Sequence, residues 1–96
     1  MANKVEGTVA SVTSEGGLIT DISIESLAAA PRDENVKIVF GGHETFGLYP
    51  SDHDLPDANM VAMIGDSGFV EIEIVGVSLS AMLGIRAGES VSVTWS

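Results

Sequence analysis

The sequence predicts an all-β protein, a small β-barrel of short antiparallel strands with one or two short helical turns. Three observations predict it. Apolar and polar residues alternate with a period of two, most clearly in Phe69-Val70-Glu71-Ile72-Glu73-Ile74-Val75, where Val70, Ile72 and Ile74 share one face and Glu71 and Glu73 the other. Helical periodicity is confined to two short runs, each closed by glycine or proline. Five or more short strands within 96 residues expose sheet edges unless the sheet curls on itself, and a small barrel or sandwich hides them.

Taken in chain order, Val5 to Val12 reads as a strand. Gly16-Gly17 then precedes a second alternating run, in which Leu18, Ile22 and Ile24 oppose Ile19, Asp21 and Ser23. Ile24 to Ala30 predicts a helical turn stopped by Pro31, because proline disfavours helical geometry in the residue before it. Val36 to Phe40 is a short apolar strand ending at Gly41-Gly42. The stretch from Leu48 to Asn59, with Pro50, Pro56, Asp52, Asp54 and Asp57, predicts a long exposed acidic loop. After the Phe69 strand, Ser78-Leu79-Ser80-Ala81-Met82-Leu83-Gly84 combines a serine cap, apolar spacing of three and four, and a terminal glycine, which predicts a short helix. Val91, Val93 and Trp95 alternate with serine and threonine in a last strand.

One core is all that a chain of this length buries, so residues 1–96 are expected to form a single domain, without a second catalytic domain. Fourteen acidic residues against Lys4, Arg32, Lys37 and Arg86 give a formal charge of −10, a field that repels nucleic acid and anionic membrane surfaces. Without cysteine there is no thiolate nucleophile or sulfur-ligated zinc. No signal peptide and no apolar run of spanning length is apparent, so a soluble cytoplasmic protein is expected.

The Ser14-Glu15-Gly16-Gly17-Leu18-Ile19-Thr20 stretch raises three readings: a phosphate cradle, a plain turn, or a ligand loop stripped of its side chains. A cradle needs further glycines, a following helix and usually a lysine, and none is present. His43, Glu44, Asp52, His53, Asp54 and Asp57 include both histidines, yet no metal-site spacing occurs among them, and a solvated loop is the expectation. Serines and threonines show no spacing that fixes a base and an oxyanion hole, so no catalytic residue is assigned. Glu71 and Glu73, about 6 to 7 Å apart on one strand face, read as the wet side of a sheet.

Three blocks in this order, SEGGLITDI, IGDSGFVEIEI and SLSAMLGIRAGESVSV, resemble the C-terminal domain of the S-adenosylmethionine hydroxide adenosyltransferases, the family that includes the fluorinase and chlorinase enzymes, from about Gly7 to Val93. The resemblance implies a small β-barrel. It also implies a trimer in which the ligand lies between an N-terminal domain, which supplies the catalytic aspartates, and a neighbouring subunit's C-terminal barrel. The family pattern of phenylalanine, glycine and asparagine before the LIT-like strand is Glu15, Gly16 and Gly17 here, and Asp21 stands where asparagine is usual. Ser67, Gly68, Phe69, Glu71 and Ile72 match the family's SGFLEI-like strand, whereas Val75-Gly76-Val77 replaces an asparagine- or arginine-rich turn. Loss of an aromatic ring and an amide removes stacking and paired hydrogen bonds to adenine.

The expectation is therefore a stand-alone, non-catalytic barrel that self-associates, as a trimer by family analogy, or docks on a partner protein. A second expectation is a module that binds S-adenosylmethionine or a nucleoside through Gly16, Gly17, Asp21, Ser67, Gly68 and Phe69, with no metal and no other cofactor. A third is half of an adenosyltransferase completed in trans by a separate N-terminal domain.

Overall fold

Eight strands, one 3-10 turn and one short α-helix make up residues 3–95, the part of the chain that the computed structural model describes. The strands are β1 (Asn3–Val12), β2 (Leu18–Ser23), β3 (Val36–Phe40), β4 (His43–Phe46), β5 (Tyr49–Pro50), β6 (Met60–Ile64), β7 (Phe69–Ile74) and β8 (Ser90–Trp95). They form one sheet in the order β4-β3-β8-β1-β2-β7-β6-β5, curled into a half-barrel around the apolar core. Neighbouring strands are antiparallel except β5 and β6, which run parallel. A side chain draws the curl together: Thr45 Oγ1 on β4 donates to the Met60 carbonyl of β6 at 3.2 Å.

The inward face follows the alternation of the sequence. Val36, Ile38 and Phe40 of β3, Val70, Ile72 and Ile74 of β7, and Val91 and Val93 of β8 are all buried. Thr20 breaks the pattern, since it is a polar residue on the buried face of β2. The pairing explains it: β2 meets β7 as Leu18 with Ile72 and Ile19 with Glu71, then shifts register before Ser23 with Phe69. The slip strands backbone groups, and the Thr20 hydroxyl serves them, donating to the Val70 carbonyl at 2.7 Å and accepting from the Ile22 N–H at 3.2 Å. Thr20→Val keeps the shape and orphans both, so it is expected to cost about 1–3 kcal/mol. Denaturant unfolding checks this: the midpoint falls with an unchanged slope, whereas an unmoved midpoint would show the hydroxyl to be dispensable.

Both helical turns lie where capping residues place them. Ser23 caps the 3-10 turn (Ile24–Leu27) through the Ser26 N–H, and Arg32 donates to the Leu27 and Ala30 carbonyls beyond it. Helix α1 (Leu79–Leu83) begins at Ser78, whose Oγ accepts from the Ala81 N–H at 3.2 Å, and ends at Gly84 in the left-handed conformation.

The Leu48–Asn59 stretch is mostly exposed, as its composition predicts, but it is anchored at several points. Leu48 is buried, Tyr49 and Pro50 pair with Met63 and Ile64, and the chain then runs back as a strap. Backbone bonds from Ala58 N–H to the Val75 carbonyl and from Val75 N–H to the Asn59 carbonyl tie down its end. Ala62 points into the barrel opposite Ile72, yet Val61 and Met63, on the outer face, are buried as well. The proline-rich segment is thus held close by its buried first residue and by backbone bonds at its end.

Candidate functional site

A cleft of about 410 Å³ opens on the outer face of β7, between the Gly16-Gly17 loop and the turn that follows Ile74. The loop is a closed turn. Thr13 N–H donates to the Gly17 carbonyl at 2.8 Å, Gly16 N–H to the Thr13 carbonyl at 2.9 Å, and Gly17 N–H to Thr13 Oγ1 at 3.0 Å. Gly16 has a φ of +86°, and a Cβ there would overlap Ser78, the cap of α1. Its carbonyl accepts from the Ser80 N–H at 2.9 Å. Glycine is required by the handedness of the turn and by the helix lying against it.

Glu15, Glu71 and Glu73 bring carboxylates to the cleft, while Leu18, Met63 and Val77 supply apolar surface. Most of the polar side chains hold the walls together. Glu71 lies against Gly65, where a Cβ would overlap its carboxylate, and Glu71 Oε2 accepts from Ser67 Oγ at 2.8 Å. Glu73 Oε1 is 3.4 Å from His53 Nε2, and His53 Nδ1 accepts from the Leu55 N–H at 3.2 Å. Glu71 and Glu73 are therefore half-buried and partnered, rather than the open wet face that alternation suggests.

The structure divides the residues singled out in the sequence. Gly17 lines the cleft, and Gly16 fixes its loop against α1. Ser67, Gly68 and Phe69 form the β6–β7 turn, where the Gly68 carbonyl accepts from the Ile24 N–H at 3.0 Å, and only Ser67 reaches a cleft residue, through Glu71. Asp21 lies on β2 beside β1, where its carboxylate accepts from the Thr8 N–H at 2.8 Å and from Thr8 Oγ1 at 3.1 Å. Gly7 clears the space for it, since a Cβ there would overlap the Asp21 carboxylate. Of the histidine and acid set, His53 reaches Glu73, whereas His43 packs against Phe40 with ring centroids 6.1 Å apart. Among the described residues, no group of three or more histidine or acidic side chains gathers around one point, and no helix is long and apolar enough to cross a membrane. Thr13, Glu73 and Val77 were not legible as site residues from spacing. Their common signal is a glycine within three residues, Gly16 after Thr13 and Gly76 near Glu73 and Val77.

The profile of the SAM hydroxide adenosyltransferase C-terminal domain matches residues 7–92. No curated protein matches the chain. Among solved structures, an uncharacterised conserved protein from Thermotoga maritima superposes with a TM-score of 0.77 at 24% identity, covering 94% of this chain and 35% of that one. A conserved hypothetical protein from Thermus thermophilus superposes with a TM-score of 0.68 at 20% identity, covering 92% of this chain and 32% of the other. At such identities these likenesses establish the fold. The chain spans about a third of the length of these two proteins.

Proposed function

This chain belongs to the SAM hydroxide adenosyltransferase C-terminal domain family, and from that premise we propose that it is a non-catalytic β-barrel domain whose role is self-association or docking on a partner protein. One observation carries the reading: all but Glu15 of the cleft's polar side chains are spent on its own architecture. Thr13 holds the glycine turn, Ser78 caps α1, Glu71 takes Ser67 and Glu73 takes His53. Such an arrangement supports a shaped surface better than a reacting centre, which needs a base aimed at an incoming group. Val77, in the cleft wall, and Met82, on α1, add exposed apolar surface of the kind that association covers. Gel filtration with light scattering tests this. The expected mass is that of an oligomer, about three times the 9.9 kDa chain by family analogy, or of a complex with a co-purifying protein. A single-chain mass at every concentration, with nothing bound, would refute it.

A second reading, a module for S-adenosylmethionine or adenosine, is favoured by the cleft volume, which falls in the range of small-molecule sites, and by carboxylates that suit a positive sulfonium. Gly17 would bound the ligand directly, with Gly16 shaping its loop and Ser67 acting through Glu71, whereas Gly68, Phe69 and Asp21, which the family resemblance also suggests, lie outside this cleft. Titration calorimetry with both ligands decides it, and no heat at about millimolar ligand removes it. Completion of an active site by a separate N-terminal domain predicts adenosine release from S-adenosylmethionine when such a chain is added.

A further inference from the structure

The strap between β5 and β6 touches the cleft wall at two points. His53 reaches Glu73, and Asp57 abuts Gly76, where a Cβ would meet Asp57 Oδ1 at 3.0 Å. Both Glu73 and Gly76 line the cleft. The His53 side chain is only 8% exposed although the strap lies at the surface. Its hydrogen bonds fix one tautomer: Nδ1 accepts from the Leu55 N–H at 3.2 Å and so carries no proton, which places the neutral ring's hydrogen on Nε2, facing Glu73 Oε1 at 3.4 Å.

We propose that His53 is a proton-sensitive latch, holding the strap closed along the cleft while its ring is neutral and releasing the Leu55 turn when the ring becomes charged. A second proton has one place to go, Nδ1, and there it confronts the Leu55 N–H donor. An acceptor becomes a donor, so attraction turns to repulsion at that contact. The other groups facing the ring behave differently. Glu73 from β7 gains an ion-pair partner, Val61 opposite it on β6 is uncharged, Tyr49 of β5 meets the ring edge-on at 6.3 Å, and Asp52 and Asp54 flank it in the strap. No cation stands among these groups, so the Leu55 turn gives way while the ring stays on β7. Opening of this turn loosens the strap between His53 and Pro56, while Ala58 and Asn59 stay bonded to Val75 and keep Asp57 beside the cleft. The inference goes beyond the docking role, because it concerns the strap whatever the cleft receives.

Nitrogen-15 NMR of the intact chain tests it without any ligand, from about pH 8 to about pH 5. At the upper end the imidazole nitrogens should report the Nε2–H tautomer and the Leu55 amide should be protected from exchange. As the ring becomes charged, the Leu55 protection factor should fall about five- to tenfold, the worth of one hydrogen bond, while that of Ala62 in β6 holds. His53→Phe should abolish the pH dependence. A proton on Nδ1 in the neutral ring, a ring still neutral at the lower end, Leu55 protection indifferent to the ring's charge, or the same pH dependence in His53→Phe would each overturn the proposal. A strict monomer in the light-scattering test leaves all four readouts in force, so the two ideas fail separately.

Discussion

Phe40→Ala is expected to destabilise the domain by about 3–5 kcal/mol, the usual cost of deleting a buried ring and leaving its cavity. Phe40 is fully buried at the end of β3, paired with Val91 of β8 on one side and His43 of β4 on the other. Ladders on both flanks keep the neighbouring backbones from closing on the space, and the Gly41-Gly42 turn that follows offers no side chain to fill it. A domain of this size has about 5–15 kcal/mol in total, and each kcal/mol moves its melting temperature by about 4–8 °C. Thermal unfolding followed by circular dichroism should therefore show a drop of at least about 12 °C, or no folded state at growth temperature. Phe69→Ala is the comparison, since Phe69 is 38% exposed at the β6–β7 turn and should cost no more than about 1 kcal/mol. Equal losses in the two variants would mean that the curled sheet does not enclose the core as described.

The strands that alternation predicts are those with one wet face. β2, β7 and β8 follow the two-residue pattern because the barrel interior takes one side and water or a polar layer the other. β6 left no such trace: Met60-Val61-Ala62-Met63-Ile64 is apolar throughout, and Ala62 on the inner face and Val61 and Met63 on the outer face are all buried. β4 reads in reverse. Thr45 turns inward, where its hydroxyl reaches the Met60 carbonyl, and Phe46 turns outward, so polarity and burial oppose each other in a four-residue strand. Short helices were easier, since Ser78 and Gly84 mark the ends of α1 by capping chemistry that involves few distant residues.

The site was legible where it depends on backbone and hidden where it depends on tertiary contact. Paired glycines before β2 signal a special turn, and the turn does form one wall of the cleft. Nothing local shows that Glu71 folds over Gly65 or that His53 crosses from the strap to Glu73, since each pairing joins elements whose approach is set by the sheet order. Asp21 illustrates the converse. Its place beside the glycine loop in sequence suggests the cleft, yet strand alternation and the bond to Thr8 turn it toward β1.

Gly16→Ala is the second large effect, and it separates two causes that glycine usually confounds. Gly84 has a φ of +69° with open space where a Cβ would stand, so Gly84→Ala bears the conformational cost alone, about 1–2 kcal/mol. Gly16 has the same handedness but is buried, and its added methyl would overlap Ser78, side chain and backbone alike. A side chain could rotate away; the Ser78 backbone cannot, because Ser78 caps α1 and the Ser80 N–H is bonded to the Gly16 carbonyl. The glycine turn and the helix must move apart, which adds overpacking of about 1–3 kcal/mol to the conformational cost. Gly16→Ala is thus expected to lose about 2–5 kcal/mol in all, and at temperatures where it remains folded its amide spectrum should shift at Gly17, Val77 and Ser78 while Val91 and Val93 stay in place. A loss no larger than that of Gly84→Ala would show that the helix is not seated on this turn, and the cleft would then lack the wall that gives it shape.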